Sequence, residues 1–559
     1  MTRLLAALSG NALPLAVAAA TFTLAVGLPA GDPDMWWHLA SGRWMVEHGE
    51  GLRVDVFSST ATGEPYALGQ WLGEVALYEA YAAAGWTGVA VLRASLVALG
   101  AFAVTRLALR NAPARIAIPL AAAAILLSKS TWTDRPQLFT LALFPVVLEL
   151  CLAARAGSRP ALLATVPVVA FWANVHGGYA LGIAVLWIFA LEAVLERRPA
   201  LPQLAAALVA TVVVSSEPGA LSLLHAIGHV AGSTVRIVEE SPVDPLTPFG
   251  ALFALFVGAT LLVLMVRGGS LLGALVLVPV LALALSAQRH VPLFGFAAVP
   301  FLAGPITALL GQLGTTVKWG RERAGRPEEH LAAGEAGVPA PIESGGSGRP
   351  AGPAPWGTHV NGHRIGVDRH RNGVGTHAAG IEGGGEPAAA GPAWNETPTR
   401  VDTSDSPPPS SMSYPSRSDR RSRLALPVAG ALWLGALASI ATAAPGPDLR
   451  PYPTRAIDAL AASSGILLNE YDWGGYLIWA VPTRPVFVDG RLYPFAGNGV
   501  IRSYQEAIHV LPSWRAVIER WNVAQALLRP DRALAQALRD EGWTVRAEGE
   551  DFVLLERPR

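Results

Sequence analysis

Two aspartates flank a single proline in the stretch GDPDMWWHLASGRW, which begins at Gly31. Proline fixes its own backbone and disfavours helix in the residue before it, so Asp32 and Asp34 are expected in a turn where both carboxylates reach one point. Such a pair has three uses. It can hold a divalent cation such as magnesium or manganese through hard oxygen ligands. One member can act as a general base, its pKa raised by its neighbour and by poor solvation. Or it can cap the helix expected to start near Met35. His38 follows Asp34 by four residues, one helical turn, and an Asp34–His38 pair is expected from that spacing.

Basic side chains recur at similar places. Arg93 sits inside an apolar run, where a charged group calls for an anionic partner: Glu74, an aspartate of the first loop, or a phosphate. Gln70 and Glu74 lie one turn apart in GQWLGEVALYEAY. Arg135 in TDRPQ, and Arg289 with His290 in QRHVP, stand at the ends of apolar segments. Guanidinium groups suit bidentate recognition of phosphate or carboxylate. His176 of NVHGG precedes two glycines that permit close backbone approach. Each of these residues alone fits a structural ion pair as well as a ligand contact; their convergence at one surface favours a site. A carboxylate can take the proton of an acceptor hydroxyl, while Arg, His or a cation stabilises a departing phosphate. No glycine-rich nucleotide fingerprint occurs, which fits a donor carried on a lipid.

The rest of the chain must position these groups. Its 559 residues are 52% hydrophobic and only 15% charged, with a mean hydropathy of +0.37. A chain this apolar is expected to be an integral membrane protein. Its net charge of zero offers no footprint for nucleic acid. The one cysteine, Cys151, excludes an internal disulfide. Crossing about 30 Å of hydrocarbon takes roughly 20 residues. Candidates lie at 11–30, 86–109, 114–128, 136–156, 160–175, 178–195, 200–215, 249–266, 270–287, 291–313 and 424–444. The first also admits a reading as a signal peptide, from the small residues of VGLPAG.

Every second loop is rich in arginine, so these loops and the N-terminus are expected in the cytoplasm of a multi-pass plasma-membrane protein. The acids and histidines then face outward, on a loop at 31–85 and its counterparts. Trp36, Trp37 and Trp44 either form an aromatic belt at the interface or belong to the site. The organisation expected is a transmembrane domain at 1–313, a disordered cytoplasmic linker at 314–423, a last span at 424–444 and an extracytoplasmic α/β domain at 445–559. The linker is rich in Gly, Pro and Ser without periodicity. Its His359, His363, His370 and His377 and the NET pattern at Asn395 are read as accidents of composition. In the tail, GILLNEY, RPVFVDGR and VAQALLR look like strands, DRALAQALRDEG a helix and WTVRAEGEDFVLLER a closing hairpin.

An acidic motif directly after the first span, followed by interfacial helices, resembles the C-type glycosyltransferase superfamily. Those multi-spanning enzymes use polyprenyl-phosphate sugars and include protein O-mannosyltransferases and aminoarabinose transferases. More closely, the chain is similar to a set of bacterial membrane proteins with a D-x-D-x-W-W-H-L motif. The matching stretches are DPDMWWHL, FSST from Phe57, RPQ from Arg135, NVHGG from Asn174, NEYDWGGYL from Asn469 and VDGR from Val488. The resemblance implies the C-type fold, a polyprenyl-phosphate-linked sugar as donor, and Asp34 or Asp32 as catalytic carboxylate. Acceptors in this superfamily are glycans, lipids or proteins. Two other readings remain: a non-enzymatic module that binds lipid-linked glycans or an envelope-assembly partner, and a transporter or flippase. The latter would place its polar groups at mid-membrane within repeated halves.

Overall fold

The computed structural model of the chain describes residues 8–66, 69–217, 241–324, 419–440, 446–491, 493–495 and 497–558. The linker histidines and Asn395 lie outside the described residues. Residues 314–324 and 419–423, expected in the linker, are helical instead. Both stretches lack proline, and their Arg, Glu and Ala residues favour helix.

Each of the apolar candidates coincides with a helix. They are α1 (Ala12–Val26), α3 (Trp71–Leu109), α4 (Ala114–Leu127), α5 (Gln137–Arg155), α6 (Arg159–Val175), α7 (Tyr179–Leu195), α8 (Leu201–Ser215), α9 (Pro248–Arg267), α10 (Leu271–Ser286), α11 (Val291–Ala324) and α12 (Asp419–Ile440). By length and composition α3, α5, α9 and residues 288–312 can cross a membrane, and seven shorter apolar helices accompany them among the described residues. The protein is an α-helical polytopic membrane protein with a small C-terminal α/β domain.

Two helical stretches lie outside this set. The first is α2 (Met35–His48). The second is the front half of α3, which breaks at Ala84 and Gly85. Gly85 has φ 59° and ψ −143°, a conformation open only to glycine. The break turns the Gln70–Tyr81 stretch away from the spanning half that carries Arg93. Charged groups collect at the two ends of the bundle. At one end Arg106 and Arg110 both reach Glu149 at 3.2 Å, and Arg155 reaches the buried Glu192 at 2.7 Å. The aspartates of the first loop, Arg135 and His176 lie at the other.

The tail contains β1 (Ile466–Asn469), α13 (Tyr471–Ala480), α14 (Val500–Ile508), α15 (Trp514–Arg520), β2 (Val523–Leu528), α16 (Ala533–Asp540), β3 (Thr544–Glu548) and β4 (Val553–Glu556). The strands form one sheet in the order β1-β2-β4-β3, with β1 parallel to β2 and the other pairs antiparallel. Strand side chains alternate between faces. Leu468, Ala526, Leu528, Val553 and Leu555 pack under the tail's own helices, on Val500, Val517 and Leu534. Leu467, Leu527 and Leu554 belong to a second core with Met35, Trp36, Trp37 and Leu39 of α2. One sheet therefore holds the tail together and also seats it on the first-loop helix.

This second core settles the role of the tryptophans. Trp36 and Trp37 are buried, and Trp36 packs edge-on to Trp86, Tyr452 and Tyr476 with centroids 5.1–5.7 Å apart. They join the tail to the bundle and are not a belt facing lipid. Trp44 is half-buried and stacks on His48 at 4.2 Å.

RPVFVDGR is not a strand of the sheet. Its backbone is used elsewhere. Val486 donates to the Phe57 carbonyl and accepts from Ser59, while the Asn469 side chain bonds Phe487 and Val488. FSST and PVFVD thus pair with each other as an isolated bridge between first loop and tail. WGGYLIWAV, left unassigned by its sequence, forms most of α13.

A buried ion network locks the same seam. Arg491 pairs with Asp489 through Nε at 2.7 Å and Nη2 at 2.6 Å, and its Nη1 donates to Asp55 of the first loop. All three side chains are at most 1% exposed. Removing one member of a buried pair leaves an uncompensated charge, at a cost of about 3–5 kcal/mol. Arg491→Met should therefore lower the Tm of the purified protein markedly. A Tm equal to wild type would show that the network does not hold the seam.

Candidate functional site

Gly27 ends α1, and the turn that follows is built by the first aspartate. Oδ1 of Asp32 accepts the backbone N–H of Asp34 at 2.9 Å. Asp34 occupies the cap position of α2, yet its side chain makes no capping bond. Oδ1 instead accepts the Trp37 indole N–H at 3.1 Å, and Oδ2 accepts Nη1 of Arg135 at 2.7 Å. Arg135 also reaches Oδ2 of Asp32 through Nε at 2.8 Å. One guanidinium therefore bridges both carboxylates. Burial pushes the Asp34 carboxyl up to about 6 and the adjacent Asp32 adds to this, while Arg135 and Trp37 work against it.

The arrangement bears on the expected cation. Among the described residues no group of three His, Cys, Asp or Glu side chains could hold a metal ion. The space between the two aspartates is filled by Arg135, so this donor set does not fit a divalent cation as it stands. No step below is routed through a metal.

Arg93 has a different partner from those expected. Nη1 donates to both oxygens of Asp134, at 2.9 and 2.8 Å, and Nε donates to the Ala25 carbonyl at 3.2 Å. Nη2 donates to the Leu28 carbonyl. The side chain is 2% exposed. Arg93 thus joins the end of α1, helix α3 and the loop before α5, in a buried position. Asp134, the residue before Arg135, carries no mark in the sequence, because no periodic pattern identifies a loop residue as the counter-ion of a helix residue 41 positions earlier. Burial raises the Asp134 carboxyl to about 6, against the opposing effect of Arg93.

His38 pairs with Glu74 and not with Asp34. Nδ1 lies 3.0 Å from Oε1 of Glu74, which Gln70 and the Tyr66 hydroxyl also approach, at 3.3 and 3.4 Å. Both side chains are buried. Burial, reinforced by the nearby Arg135 and His176, holds the His38 imidazole well below its usual pKa. Asp34 precedes the first helical residue and turns toward Trp37, which is why the one-turn spacing misled. His38 and Glu74, expected as a catalytic residue and a ligand contact, pair with each other in a polar core under α2.

His176, Arg289 and His290 line a cavity of about 580 Å³ together with Gln70, Gln137, Thr131 and Thr140. Leu141, Leu181, Leu283 and Leu293 form its apolar wall. The proton of His176 is fixed by its neighbours. Nδ1 accepts the Gly178 N–H at 3.0 Å and the Thr140 hydroxyl at 2.7 Å, and Thr140 in turn accepts the Trp172 indole N–H at 2.9 Å. Nε2 therefore carries the hydrogen. Burial and the positive charges of Arg289 and Arg135 lower the His176 pKa to about 3, so the ring stays neutral. Nδ1–H of His290 donates to the Leu283 carbonyl at 3.1 Å. Asn174 of the same NVHGG motif accepts from Trp71 at 2.9 Å and anchors the front of α3.

Asp32 and Asp34 do not line this cavity. One short relay connects them to it. Gln137, on the cavity wall, donates to Thr133 at 2.8 Å, and Thr133 accepts from Arg135 at 3.5 Å. Gln70, also on the wall, bonds the Glu74 that holds His38. The site is thus an acid centre and a basic cavity side by side, with the Arg93–Asp134 pair as structural support.

No family model matches the sequence, and no curated protein matches it. Solved structures do. ArnT from Cupriavidus metallidurans in the apo state aligns with a TM-score of 0.50 at 14% identity, over 98% of this chain and 98% of that one. The apo oligosaccharyltransferase of Archaeoglobus fulgidus aligns with a TM-score of 0.50 at 11% identity, over 93% of this chain and 69% of that one. The chain has the C-type glycosyltransferase fold.

Because Arg93 and Asp134 satisfy each other, Arg93→Gln and Asp134→Asn should each lower Tm, and the double variant should lose less than the sum. A double-mutant cycle in detergent measures that coupling. Additive losses would mean that the two act separately.

Proposed function

We propose that this protein is a membrane glycosyltransferase that moves a sugar from a polyprenyl-phosphate donor to a hydroxyl of an extracytoplasmic acceptor. The observation that carries the reading is the adjacency of a buried carboxylate with a raised pKa to a cavity that is basic at one end and apolar along its wall. An isoprenoid phosphate has matching chemistry, with an anionic head and an apolar chain. The fold shared with ArnT and the archaeal oligosaccharyltransferase is consistent with it.

In the proposed step the acceptor hydroxyl attacks the anomeric carbon. The new glycosidic C–O bond forms on the face opposite the departing group, so configuration inverts. The bond from the anomeric carbon to the phosphate oxygen breaks, and the electron pair leaves with polyprenyl phosphate. Asp34 takes the hydroxyl proton. Arg289 balances the charge on the departing phosphate, and Nε2–H of His176 offers a neutral donor that does not compete for the proton. Arg135 holds Asp34 in place and ties it to Asp32. The C-terminal domain and the first loop lie on the same side as this site, on the outer face assigned from the arginine pattern.

The test is purified protein in nanodiscs with a panel of radiolabelled polyprenyl-phosphate hexoses, read as sugar transferred to envelope glycan, lipid and protein fractions. Asp34→Asn should cut the rate by about 10²–10⁴-fold with donor binding intact. Arg289→Gln should weaken donor binding roughly tenfold or more. A general base must be ionised, so the wild-type rate should rise with pH through about 6 and level off above it. Full activity in Asp34→Asn would end the proposal.

A further inference from the structure

The tail domain touches the acid centre itself. The chain turns at Asp489-Gly490-Arg491, and Gly490 lies directly against Asp34: a methyl group there would overlap Oδ1 of Asp34 and stand 3.4 Å from Nε1 of Trp37. The flanking residues fix that turn. Asp489 and Arg491 are bound to each other, and Arg491 crosses to Asp55 of the first loop. The guanidinium also lies over the rings of Phe57 at 5.1 Å and Phe495 at 5.9 Å. Asn469 holds the approach to the turn through Val488 at 2.9 Å. The turn is therefore rigid where it meets the carboxylate.

We propose that this turn is a positioning element of the reaction site: Gly490, clamped by Arg491, fixes the rotamer of Asp34 by closing the space beside Oδ1. The carboxylate then has one allowed orientation, with Oδ1 on Trp37 and Oδ2 on Arg135. The VDGR motif owes its glycine to this contact, since any side chain would displace the acid. The proposal rests on the reading of Asp34 as the reactive carboxylate, but the contact itself can be tested without a substrate.

Dicyclohexylcarbodiimide modifies protonated carboxyl groups in apolar surroundings, and peptide mass spectrometry locates the adduct. Labelling of Asp34 in the full chain in nanodiscs, measured against pH, reports the environment of that one group. The groups facing it are Asp32, Arg135 and Trp37 from the bundle side, and Tyr452 and Tyr471 from the tail. In the wild type the labelling midpoint is expected at about 6. In Gly490→Ala the added methyl pushes Oδ1 off Trp37 and loosens Oδ2 from Arg135. Both contacts favour the ionised form, so the midpoint should rise by half a pH unit or more. Arg43→Gln is the control. It weakens the same docking seam, where Arg43 donates to the Trp479 carbonyl at 3.2 Å and lies over its ring, without touching the acid. It should leave the midpoint in place.

A shift of less than half a unit in Gly490→Ala, a downward shift, or an equal shift in Arg43→Gln overturns the proposal. The Tm of each variant, compared with wild type, separates repositioning from unfolding. Alanine at 490 requires no left-handed backbone, so the variant is expected to fold, and Gly490→Ser serves as a second probe of the same space. Failure here leaves the transferase reading standing if Asp34→Asn is inactive. An active Asp34→Asn with a shifted Gly490→Ala midpoint would retain the contact and reject the reaction.

Discussion

The bridge from Arg135 to Asp32 and Asp34 is the interaction on which this end of the helical bundle depends. Two carboxylates converging in a poorly solvated turn repel each other, and neither can be buried alone at acceptable cost. One guanidinium between them makes the turn possible, at 2.8 and 2.7 Å. The same loop supplies the counter-charge one residue earlier, where Asp134 meets Arg93. Two consecutive residues thus settle opposite problems: one neutralises an acid pair, the other a buried arginine. The end of α1, the start of α5 and the part of α3 that carries Arg93 are consequently tied to a single short loop.

The second constraint is the use of both faces of a small sheet. A four-stranded sheet with one helical layer leaves a whole apolar face to cover. Here α2 and α13 share the core on that face, with Met35, Trp36 and Leu39 joined by Trp473 and Leu477 to Leu467, Leu527 and Leu554. The helix that follows the acid turn is therefore held from two sides, by the bundle below and by the tail above. This explains why tryptophans that look suited to a membrane interface are buried. It also places VDGR beside the aspartates, since the seam that buries Trp37 brings Gly490 to Asp34.

Much of the fold was legible. Apolar runs of spanning length marked the apolar helices found among the described residues, because burial in hydrocarbon leaves an unbroken compositional trace. The closing hairpin of the tail was legible from alternation. RPVFVDGR was not, because alternation marks an extended chain without saying what it pairs with, and this stretch pairs with FSST. In the site, residue types were legible and partners were not. Asp34 and Arg135, both read as site residues, do meet. Arg93, His38 and Glu74 were read as candidates for chemistry and are satisfied by Asp134 and by each other. Asp55, Asp134 and Gly490 were missed, since contacts across 41 to more than 400 residues leave no local spacing to read. The quoted motifs did carry a signal: FSST, VDGR and NEYDWGGYL are the pieces of one seam.

The division of charge across the site follows from the same economy of burial. The acid centre holds two carboxylates and one guanidinium, and so is net negative when Asp34 is ionised. The cavity beside it carries Arg289 and two imidazoles, of which His176 is held neutral by the hydrogens it accepts. Thr133 and Gln137 lie between the two. A negative pole that can accept a proton therefore stands next to a positive pole that can accept a leaving anion, and the separation is maintained by uncharged side chains. Merging the two would pair Arg289 with the aspartates and cancel both functions. Had His176 been free to protonate, it would have stood beside Arg135 and Arg289 as a third positive charge. Fixing its tautomer through Thr140 and Trp172 avoids that repulsion while keeping a hydrogen-bond donor in the cavity wall. For the proposed transfer, the consequence is that arginine meets the charge on the leaving phosphate, and the carboxylate against the tail domain is poised to gain a proton near neutral pH.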